Sequence, residues 1–204
     1  MDKFFALSME KQNTIIEAAL FTFGKLGYKK ASTNEIATNA GISKGMIFHY
    51  FGSKKKLYLY LLETSFDIMF EAFLNSPYIE VTDFFDRIMF GTKIKLSVMK
   101  KHPYLLSFLG RTYSETSPEV ITEIRQFYSR GESFRNDFAL TSLDTSKFKD
   151  SVDPNLVLQI LVKFSEGYVG DSSLDENFDL DKMVDEFVAC MNLMKNNFYK
   201  EEYL

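Results

Sequence analysis

The sequence predicts an all-α protein, for two reasons. Its 204 residues include only four prolines and ten glycines, and the long stretches between them repeat apolar residues at spacings of three and four, which is the period of an amphipathic helix. Apolar residues make up 46% of the chain and charged residues 25%, a balance typical of globular proteins rather than disordered ones. A chain of this length can therefore fold around helical cores without disulfides or metals.

The first quarter of the chain predicts four helices in close succession. A serine precedes each of them as an N-cap, and Glu35 has the spacing that completes a capping box for the second. Gly27 ends the first helix, and Gly41 can take the positive φ of the tight turn after the second. The caps and ranges are Ser8 before Met9–Leu26, Ser32 before Thr33–Ala40, Ser43 before Lys44–Phe51, and Ser53 before a helix that runs to Leu74.

The rest of the chain predicts five further amphipathic helices. Pro103, Pro118 and Pro154 lie at helix starts, where the N–H that proline lacks is not needed. The predicted ranges are Val81–Lys101, Pro103–Tyr113, Glu119–Leu140, Asn155–Val169 and Leu180–Tyr199, with polar linkers at 75–77, 141–153 and 171–179.

The charge of the chain is divided unevenly along it. Its 24 basic and 28 acidic residues give a net charge of −4. Residues 1–56 contain nine lysines against four acidic residues, a net charge of +5, so residues 57–204 carry −9. A basic front attached to an acidic body indicates a polyanionic partner for the front alone.

The second and third predicted helices have the layout of a helix-turn-helix. In that motif the later helix enters the major groove of DNA with its N-terminal residues leading. The residues in this position are Ser43, Lys44, Gly45 and Met46, with His49 and Tyr50 one turn further along. The spacing alone also fits an ordinary helical hairpin that covers the first helix.

Three lysines, Lys54, Lys55 and Lys56, occupy the first turn of the fourth helix. Cations at this end oppose the helix dipole and repel one another, at a cost of ~0.3–1 kcal/mol each. A nearby phosphate would explain the cluster. The alternative is a solvated lysine face.

A run of about 20 residues is more specific than a generic helix-turn-helix. It reads IATNAGISKGMIFHYF at 36–51, followed by SKKKL at 53–57. Through this run, residues 15–62 resemble the N-terminal domain of the TetR/AcrR family of bacterial transcriptional repressors. The resemblance implies a helix-turn-helix DNA-binding domain at 1–56, joined by a long helix to an all-helical ligand-binding and dimerisation domain at 57–204.

The resemblance also assigns roles to individual residues. DNA contacts are implied for Ser32, Thr33 and Asn34 on the backbone, for Ser43, Lys44, Gly45 and Met46 in the groove, and for His49, Tyr50 and Lys54 on phosphates. Met46 stands where a small residue is common, so we expect a different base preference, for example contact with a thymine methyl. Phe48 stands where tyrosine is common; it lacks the hydroxyl that could reach a phosphate and can be a core residue.

The acidic body is rich in adaptable apolar side chains. Past residue 56, 15 Phe, 9 Tyr and 6 Met account for 30 of 148 residues. Most of them can simply fill the core, but the resemblance implies a ligand cavity, and an aromatic cavity in an acidic domain suits an apolar or cationic-lipophilic small molecule. The candidate lining residues are Phe66, Phe70, Phe90, Tyr104, Phe108, Tyr113, Tyr128, Phe164 and Tyr168.

The last two predicted helices carry wide apolar faces, such as Leu156, Ile160 and Phe164 on one and Phe187 and Met191 on the other. Faces this wide fit burial against a second subunit as well as within the domain. The resemblance implies a homodimer through these helices. Two recognition helices ~34–36 Å apart would read a near-palindromic operator.

The sequence argues against an enzyme. Its two histidines, His49 and His102, fall in different parts of the chain, and Cys190 lies among apolar helix positions. We find no glycine-rich phosphate loop and no metal-ligand spacing, so we expect no cofactor and no metal. The N-terminus lacks the apolar stretch of a signal peptide, and no apolar run is long enough to span a membrane, so we expect a cytoplasmic protein.

Together these observations predict a dimeric, ligand-responsive, DNA-binding transcriptional regulator. The family resemblance favours a repressor, but the sequence alone does not separate a repressor from an activator. The alternative is an architectural or partner-protein-binding DNA-binding protein of the same fold, without a small-molecule inducer. Base specificity separates the two, because a repressor binds its site far more tightly than random duplex.

Overall fold

The computed structural model describes residues 1–172 and 179–204, with the backbone alone at 168–172. The described residues are helical throughout apart from loops and one isolated bridge between Phe148 and Tyr199, which confirms the all-α prediction. Within these described residues, ten α-helices follow one another: α1 (Asp2–Phe5), α2 (Met9–Lys30), α3 (Thr33–Asn39), α4 (Lys44–Phe51), α5 (Lys54–Leu74), α6 (Phe84–Lys101), α7 (Leu105–Tyr113), α8 (Ile121–Leu140), α9 (Pro154–Ser172) and α10 (Leu180–Phe198). Short 3-10 turns lie at Tyr78–Glu80 and Glu201–Tyr203.

Helix α1 was not predicted, because four residues are too few to show a period. Its Phe4 is fully buried, with ring centroids 4.8 Å from Phe51 and 5.6 Å from Tyr60. The short helix therefore closes one end of the first hydrophobic core.

The ends of α2, α3 and α4 follow the predicted capping residues with two corrections. The capping box of α3 is present, with the Ser32 hydroxyl accepting from the Glu35 N–H at 3.1 Å. Gly27 breaks α2 as predicted, at φ 71° and ψ 170°, but the helix resumes for one turn to Lys30. Ser43 occupies the N-cap position of α4, yet its side chain forms no capping hydrogen bond.

The five predicted body helices lie within three residues of the observed ones. Pro154 is the first residue of α9, as predicted, but Pro103 and Pro118 precede α7 and α8 by two and three residues. Helix α6 begins three residues later than expected because Asp83 caps it, accepting from the Asp86 N–H at 3.1 Å. The predicted linker 171–179 falls mostly outside the described residues.

Two hydrophobic clusters form the core. The first joins α1–α4 to the N-terminal half of α5, to α7 and to the start of α8. The second lies among the ends of α5 and α8, the start of α6, and α9 and α10. The first cluster contains Phe23 and Ile47 as well as Leu61 and Phe108, so one continuous core crosses the predicted domain boundary at residue 56. The division into two domains stays a prediction.

A buried arginine ties the second cluster together. Arg87 has no accessible surface, and its guanidinium donates to the carbonyls of Val81 (2.6 Å), Phe138 (3.3 Å) and Thr141. Burial lowers the pKa of this group, and carbonyls at the end of α8 stabilise its charge. The residue therefore fixes the last turn of α8 against the start of α6.

Candidate DNA-binding site

Helix α4 has one buried and one exposed face. Ile47, Tyr50 and Phe51 pack in the first cluster, and the chain reaches α4 from α3 through Gly41 at φ 66°, where glycine has no steric penalty. The opposite face holds Ser43, Lys44, Gly45 and His49, which are all exposed. The N-terminal turn of α4 is thus free to approach a groove.

The other residues predicted to contact DNA differ in how exposed their side chains are. Asn34, at the start of α3, is exposed. The hydroxyl of Ser32 is engaged in the capping box. The side chains of Thr33 and Tyr50 are each only 7% exposed, so they pack in the core instead of lying on the exposed face with the other predicted contacts.

The structure also shows the burial of the two residues that depart from the family pattern. Met46 is half-buried and packs against the first cluster. Phe48 is 43% exposed, so it is not the core residue that the sequence suggested. An exposed aromatic ring on the recognition helix is available for contact with DNA or sugar.

Lys54 has a structural role that the sequence did not reveal. Its ammonium donates to the carbonyl oxygens of Tyr28 (2.9 Å) and Ala31 (3.2 Å) and lies 4.5 Å from the centre of the Tyr28 ring. These contacts fix the loop between α2 and α3. Two of its three hydrogens are therefore already used, and its predicted phosphate contact stays a prediction.

The neighbouring lysines differ from Lys54 and from each other. Lys55 forms an ion pair with Glu123 of α8 at 2.7 Å, and this pairing holds the pKa of the Glu123 carboxyl below its usual value. Lys56 is exposed. The run of three lysines is therefore not one phosphate cluster, and Lys56 is its most accessible member.

A polar junction connects the helix-turn-helix to the body. The Tyr28 N–H donates to the Glu115 carboxylate at 2.9 Å, and the Tyr28 hydroxyl donates to the Glu119 carboxylate at 2.6 Å. Burial, followed by the hydrogen bond and charge of Glu119, raises the pKa of Tyr28 well above its usual range. The chain turns at Gly27, immediately before these contacts.

Helices α2 and α7 also approach each other closely. Arg111 donates to the carbonyls of Gly24 (3.1 Å) and Lys25 (3.2 Å). A Cβ at Gly24 would lie 2.6 Å from the Ser107 hydroxyl oxygen and 3.0 Å from the Phe108 nitrogen. The junction joins residues more than 80 positions apart, so no local sequence pattern could have indicated it.

The predicted ligand-lining residues do not converge on one place. Phe108 is fully buried in the first cluster. Tyr113 and Tyr128 lie together between α7 and α8, with ring centroids 4.7 Å apart, and Tyr113 is partly open to solvent. Burial is the main cause that raises the pKa of Tyr128 to about 12.

Other members of the set lie at the edges of the bundle. Phe66 and Phe70 stack at 5.6 Å along the seam of α5 and α8. Tyr104 is 39% exposed and contacts Phe21 of the helix-turn-helix.

The remaining three candidates fall in the second half of the body. Phe90 is half-buried, and Phe164 lies 6.3 Å from Phe187, between α9 and α10. The side chain of Tyr168 lies outside the described residues. The described members of the nine therefore lie at several places in the body, and their role in lining a ligand cavity stays a prediction.

Two surface clefts are formed by the front of the chain. One, of about 270 Å³, lies between α2 and α3 and includes Phe21, Lys25 and Asn39. The other, of about 300 Å³, lies at the junction and includes Lys29, Arg111 and Glu115. Neither contains a predicted ligand-lining residue.

The segment that contains this helix-turn-helix matches a known protein family. Residues 15–61, from the middle of α2 into α5, match the family described as bacterial regulatory proteins, tetR family. Residues 15–61 therefore form a helix-turn-helix segment of the TetR family. The matched residues include the whole helix-turn-helix and the exposed turn of α4.

Sequence similarity to individual proteins is confined to the same region. An uncharacterized HTH-type transcriptional regulator, YuxN of Bacillus subtilis (strain 168), is 44% identical over 66 residues, which are 32% of this chain and 23% of the relative. The chain thus aligns with about a quarter of that relative's length.

Solved structures extend the likeness beyond the matched segment to most of the fold. The transcriptional regulator FadR from Bacillus subtilis, in complex with stearoyl-CoA, has a TM-score of 0.65 at 17% identity and covers 88% of this chain and 96% of its own. A putative regulator from Saccharomonospora viridis, in complex with choline, has a TM-score of 0.66 at 18% identity and covers 95% and 100%. At these identities the likeness establishes the fold alone.

Clusters of metal ligands and membrane-spanning helices are both absent from the described residues. Over residues 1–172 and 179–204, no group of three or more potential metal ligands comes together. No helix within those ranges combines the length and apolarity needed to cross a bilayer.

Proposed function

We propose that this chain is a dimeric transcriptional repressor of the TetR family that leaves its operator when a small molecule binds its body. The observation that carries the proposal is the exposed N-terminal turn of α4. Ser43, Lys44 and Gly45 are free at the surface, while the opposite face of the helix is anchored in the core. A rigid helix with a free, basic leading turn is what major-groove reading requires.

We divide the contacts of this surface into reading and positioning. Lys44 reaches guanine edges or a phosphate, and Met46 and Phe48 supply apolar contacts to thymine methyls or sugars. Asn34, His49 and Lys56 are exposed and fit backbone contacts, which fix orientation without reading sequence. Lys54 supports this surface by holding the α2–α3 loop.

Dimerisation is supported by apolar side chains that the described fold leaves uncovered. Leu156 and Ile160 on α9 are 55% and 42% exposed, and Leu193 on α10 is 65% exposed. Leu156 and Ile160 are four residues apart and share one face of α9. A second copy of the chain, packed on α9 and α10, would cover these side chains and place two α4 helices on one operator.

The polar junction supports coupling between ligand and DNA. Movement of α7 or of the loop before α8 would act directly on α2 through Arg111, Glu115 and Glu119. Operator affinity falls only by the difference in ligand affinity between the two arrangements. The two ligand-bound neighbours are complexes with stearoyl-CoA and with choline, which have head groups of opposite charge. The fold by itself therefore does not fix the chemistry of the inducer.

The DNA proposal is tested by selecting binding sites from a random duplex library with the purified protein. We expect a near-palindromic consensus with half-sites about one helical turn apart. Lys44→Ala should change the preferred bases, whereas Lys56→Ala should weaken binding to all sequences and reduce the salt slope by about one unit. Lys93→Ala, an exposed lysine of the body, is the matched control and should leave DNA binding unchanged.

Two results would contradict the proposal. Equal affinity for selected and random duplex would favour an architectural DNA-binding protein instead. Identical effects of Lys44→Ala and Lys56→Ala would remove the division between reading and positioning. Lys54 is not used in this test, because its substitution would also disturb the α2–α3 loop.

A further inference from the structure

Helix α6 places a lysine on its buried face. Gly91 and Val98 are buried, and Lys95 lies four residues after the first and three before the second, on the same side of the helix. Lys95 is exposed, yet burial lowers the pKa of its ammonium group. Both properties are expected of a group that faces a space inside the bundle.

Helix α8 places an arginine on the face that meets α6. Arg135 lies three residues before buried Phe138 and four after Gly131. A Cβ at Gly91 would lie 2.8 Å from the Phe138 ring, so α6 and α8 touch one turn away from Lys95 and Arg135. A Cβ at Gly131 would meet nothing within 4 Å, so the space widens at this level.

These residues lie between the two hydrophobic clusters. On α6, Val98 belongs to the first cluster, and on α8, Ile124 belongs to the first and Phe138 to the second. The level between them is polar. We call it the central layer; its residues are Lys95, Tyr113, Tyr128, Gly131, Arg135 and Glu166.

The central layer has one more positive charge than negative charge. Glu166 accepts from Lys163 at 2.7 Å and from the Tyr113 hydroxyl, and these bonds, with the charge of Arg135, hold its pKa below the usual value although burial alone would raise it. Arg135 lies 3.8 Å from Glu132 at the rim. No carboxylate of the described residues lies within 4.0 Å of the Lys95 ammonium.

Two polar groups in this layer lack partners among the residues that the structure describes. Burial and then repulsion by Arg135 lower the pKa of Lys95. The Arg135 Nε is buried without a hydrogen-bond partner among the described residues. An unpaired buried donor is costly, and so is a partly desolvated cation beside a like charge; a bound anion would satisfy both. Tyr113, at the edge of the layer, is 44% exposed and marks a side on which a ligand can enter.

We propose that Lys95 and Arg135 bind the single negative charge of an amphipathic ligand whose apolar part lies against the two hydrophobic clusters. The proposal rests on the proposed function and names the class of its inducer, an organic monoanion. It replaces the apolar or cationic-lipophilic molecule that the acidic composition suggested. The excess of acidic residues belongs to the body as a whole, whereas the central layer carries a local excess of one positive charge.

The test compares two fluorescent probes that differ by one charge. 1-Anilinonaphthalene-8-sulfonate is an amphipathic monoanion, and N-phenyl-1-naphthylamine is the same ring system without the sulfonate. We expect one sulfonate probe per chain to bind, at least about tenfold more tightly than the neutral probe, as for a hydrogen-bonded charge pair. Lys95→Met and Arg135→Met should each remove most of this preference and leave the neutral probe bound as before.

Lys93→Met is the matched control, because Lys93 is exposed on the same helix, two residues from Lys95. It should leave both affinities unchanged. Decanoate or decyl phosphate should displace the sulfonate probe, and the stronger competitor tells whether a carboxylate or a phosphate head is preferred. Decanol should displace it much less.

Several results would overturn the proposal. These are equal affinity for the two probes, a preference that survives Lys95→Met, displacement by decanol as strong as by the anions, or no binding of either probe. Because the assay contains no DNA, its failure is distinguishable from that of the proposed function. If the sulfonate probe binds through Lys95 but leaves operator affinity unchanged, the anion site stands and its proposed regulatory role is refuted.

Discussion

Helices α2 and α7 approach each other closely at Gly24, and its substitution tests whether this contact is needed. In Gly24→Ala the added methyl would lie 2.6 Å from the Ser107 hydroxyl oxygen and 3.0 Å from the backbone nitrogen of Phe108. The hydroxyl can rotate away, but the backbone nitrogen of α7 can move only with its helix. Helices α2 and α7 must therefore separate by several tenths of an ångström.

The expected size follows from two opposing effects. Overpacking of this kind typically costs ~1–3 kcal/mol, and replacing a helical glycine with alanine returns ~1 kcal/mol of helix propensity. We expect Gly24→Ala to lower the free energy of unfolding by about 0–2 kcal/mol. In a chain of this length, each 1 kcal/mol lowers Tm by ~2–4 °C.

The matched control is Gly131→Ala, also in a helix but with nothing within 4 Å of the added methyl. It should stabilise the protein by ~0.5–1 kcal/mol. Urea unfolding followed by circular dichroism measures both variants without ligand or DNA. If Gly24→Ala is as stable as Gly131→Ala, the close approach of α2 and α7 is not a packing constraint, and the reasoning is wrong.

Three further predictions concern the body. Leu193→Glu should give a monomer at micromolar concentration in analytical ultracentrifugation. The substitution places a charge on a side chain that is 65% exposed in the single chain and that the proposed dimer would bury. Leu74→Glu, also at an exposed leucine, is the control and should leave the dimer intact. Arg87→Met should lower the free energy of unfolding by ~2–4 kcal/mol in urea, since it leaves buried carbonyls unpaired; a loss below ~0.5 kcal/mol would mean that those carbonyls find other donors. Burial alone would raise the pKa of Asp83, but the hydrogen bond from Lys147 at 2.8 Å and other favourable contacts lower it, so this contribution is present above pH ~4 and is lost as pH falls below that value. Asp83→Asn should accordingly be less stable than wild type at pH 7, with a difference that narrows in acid; a constant difference across pH would exclude the charge as its cause.

The polar junction is the proposed link between ligand binding in the body and operator affinity. Tyr28, Arg111 and Glu119 connect elements that a ligand would move with elements that hold α4. A variant that weakens the junction without unfolding the chain should reduce the effect of ligand on operator affinity more than it reduces affinity itself. Coupling of this kind is a difference between two states, so it is measured as a ratio of affinities with and without ligand.

Much of this fold could be predicted because its causes are local. Helix periods, the capping box at Ser32 and the glycine turns at Gly27 and Gly41 depend on residues within a few positions of one another. The recognition helix was located for the same reason, and the uneven charge pointed to the correct end of the chain. The four-residue helix around Phe4 was missed because it is too short for a period.

What only the tertiary structure decided is which polar side chains are free and which are already engaged. The sequence grouped the three lysines at the start of α5, and the fold directs Lys54 to a loop and Lys55 to Glu123, leaving Lys56 exposed. Total charge likewise suggested an apolar or cationic ligand, whereas the fold brings Arg135 near enough to Lys95 for its charge to lower the pKa of that lysine. Local patterns fix helices and caps because those interactions span one turn, but the partner of a charge depends on elements that meet only after the chain has folded.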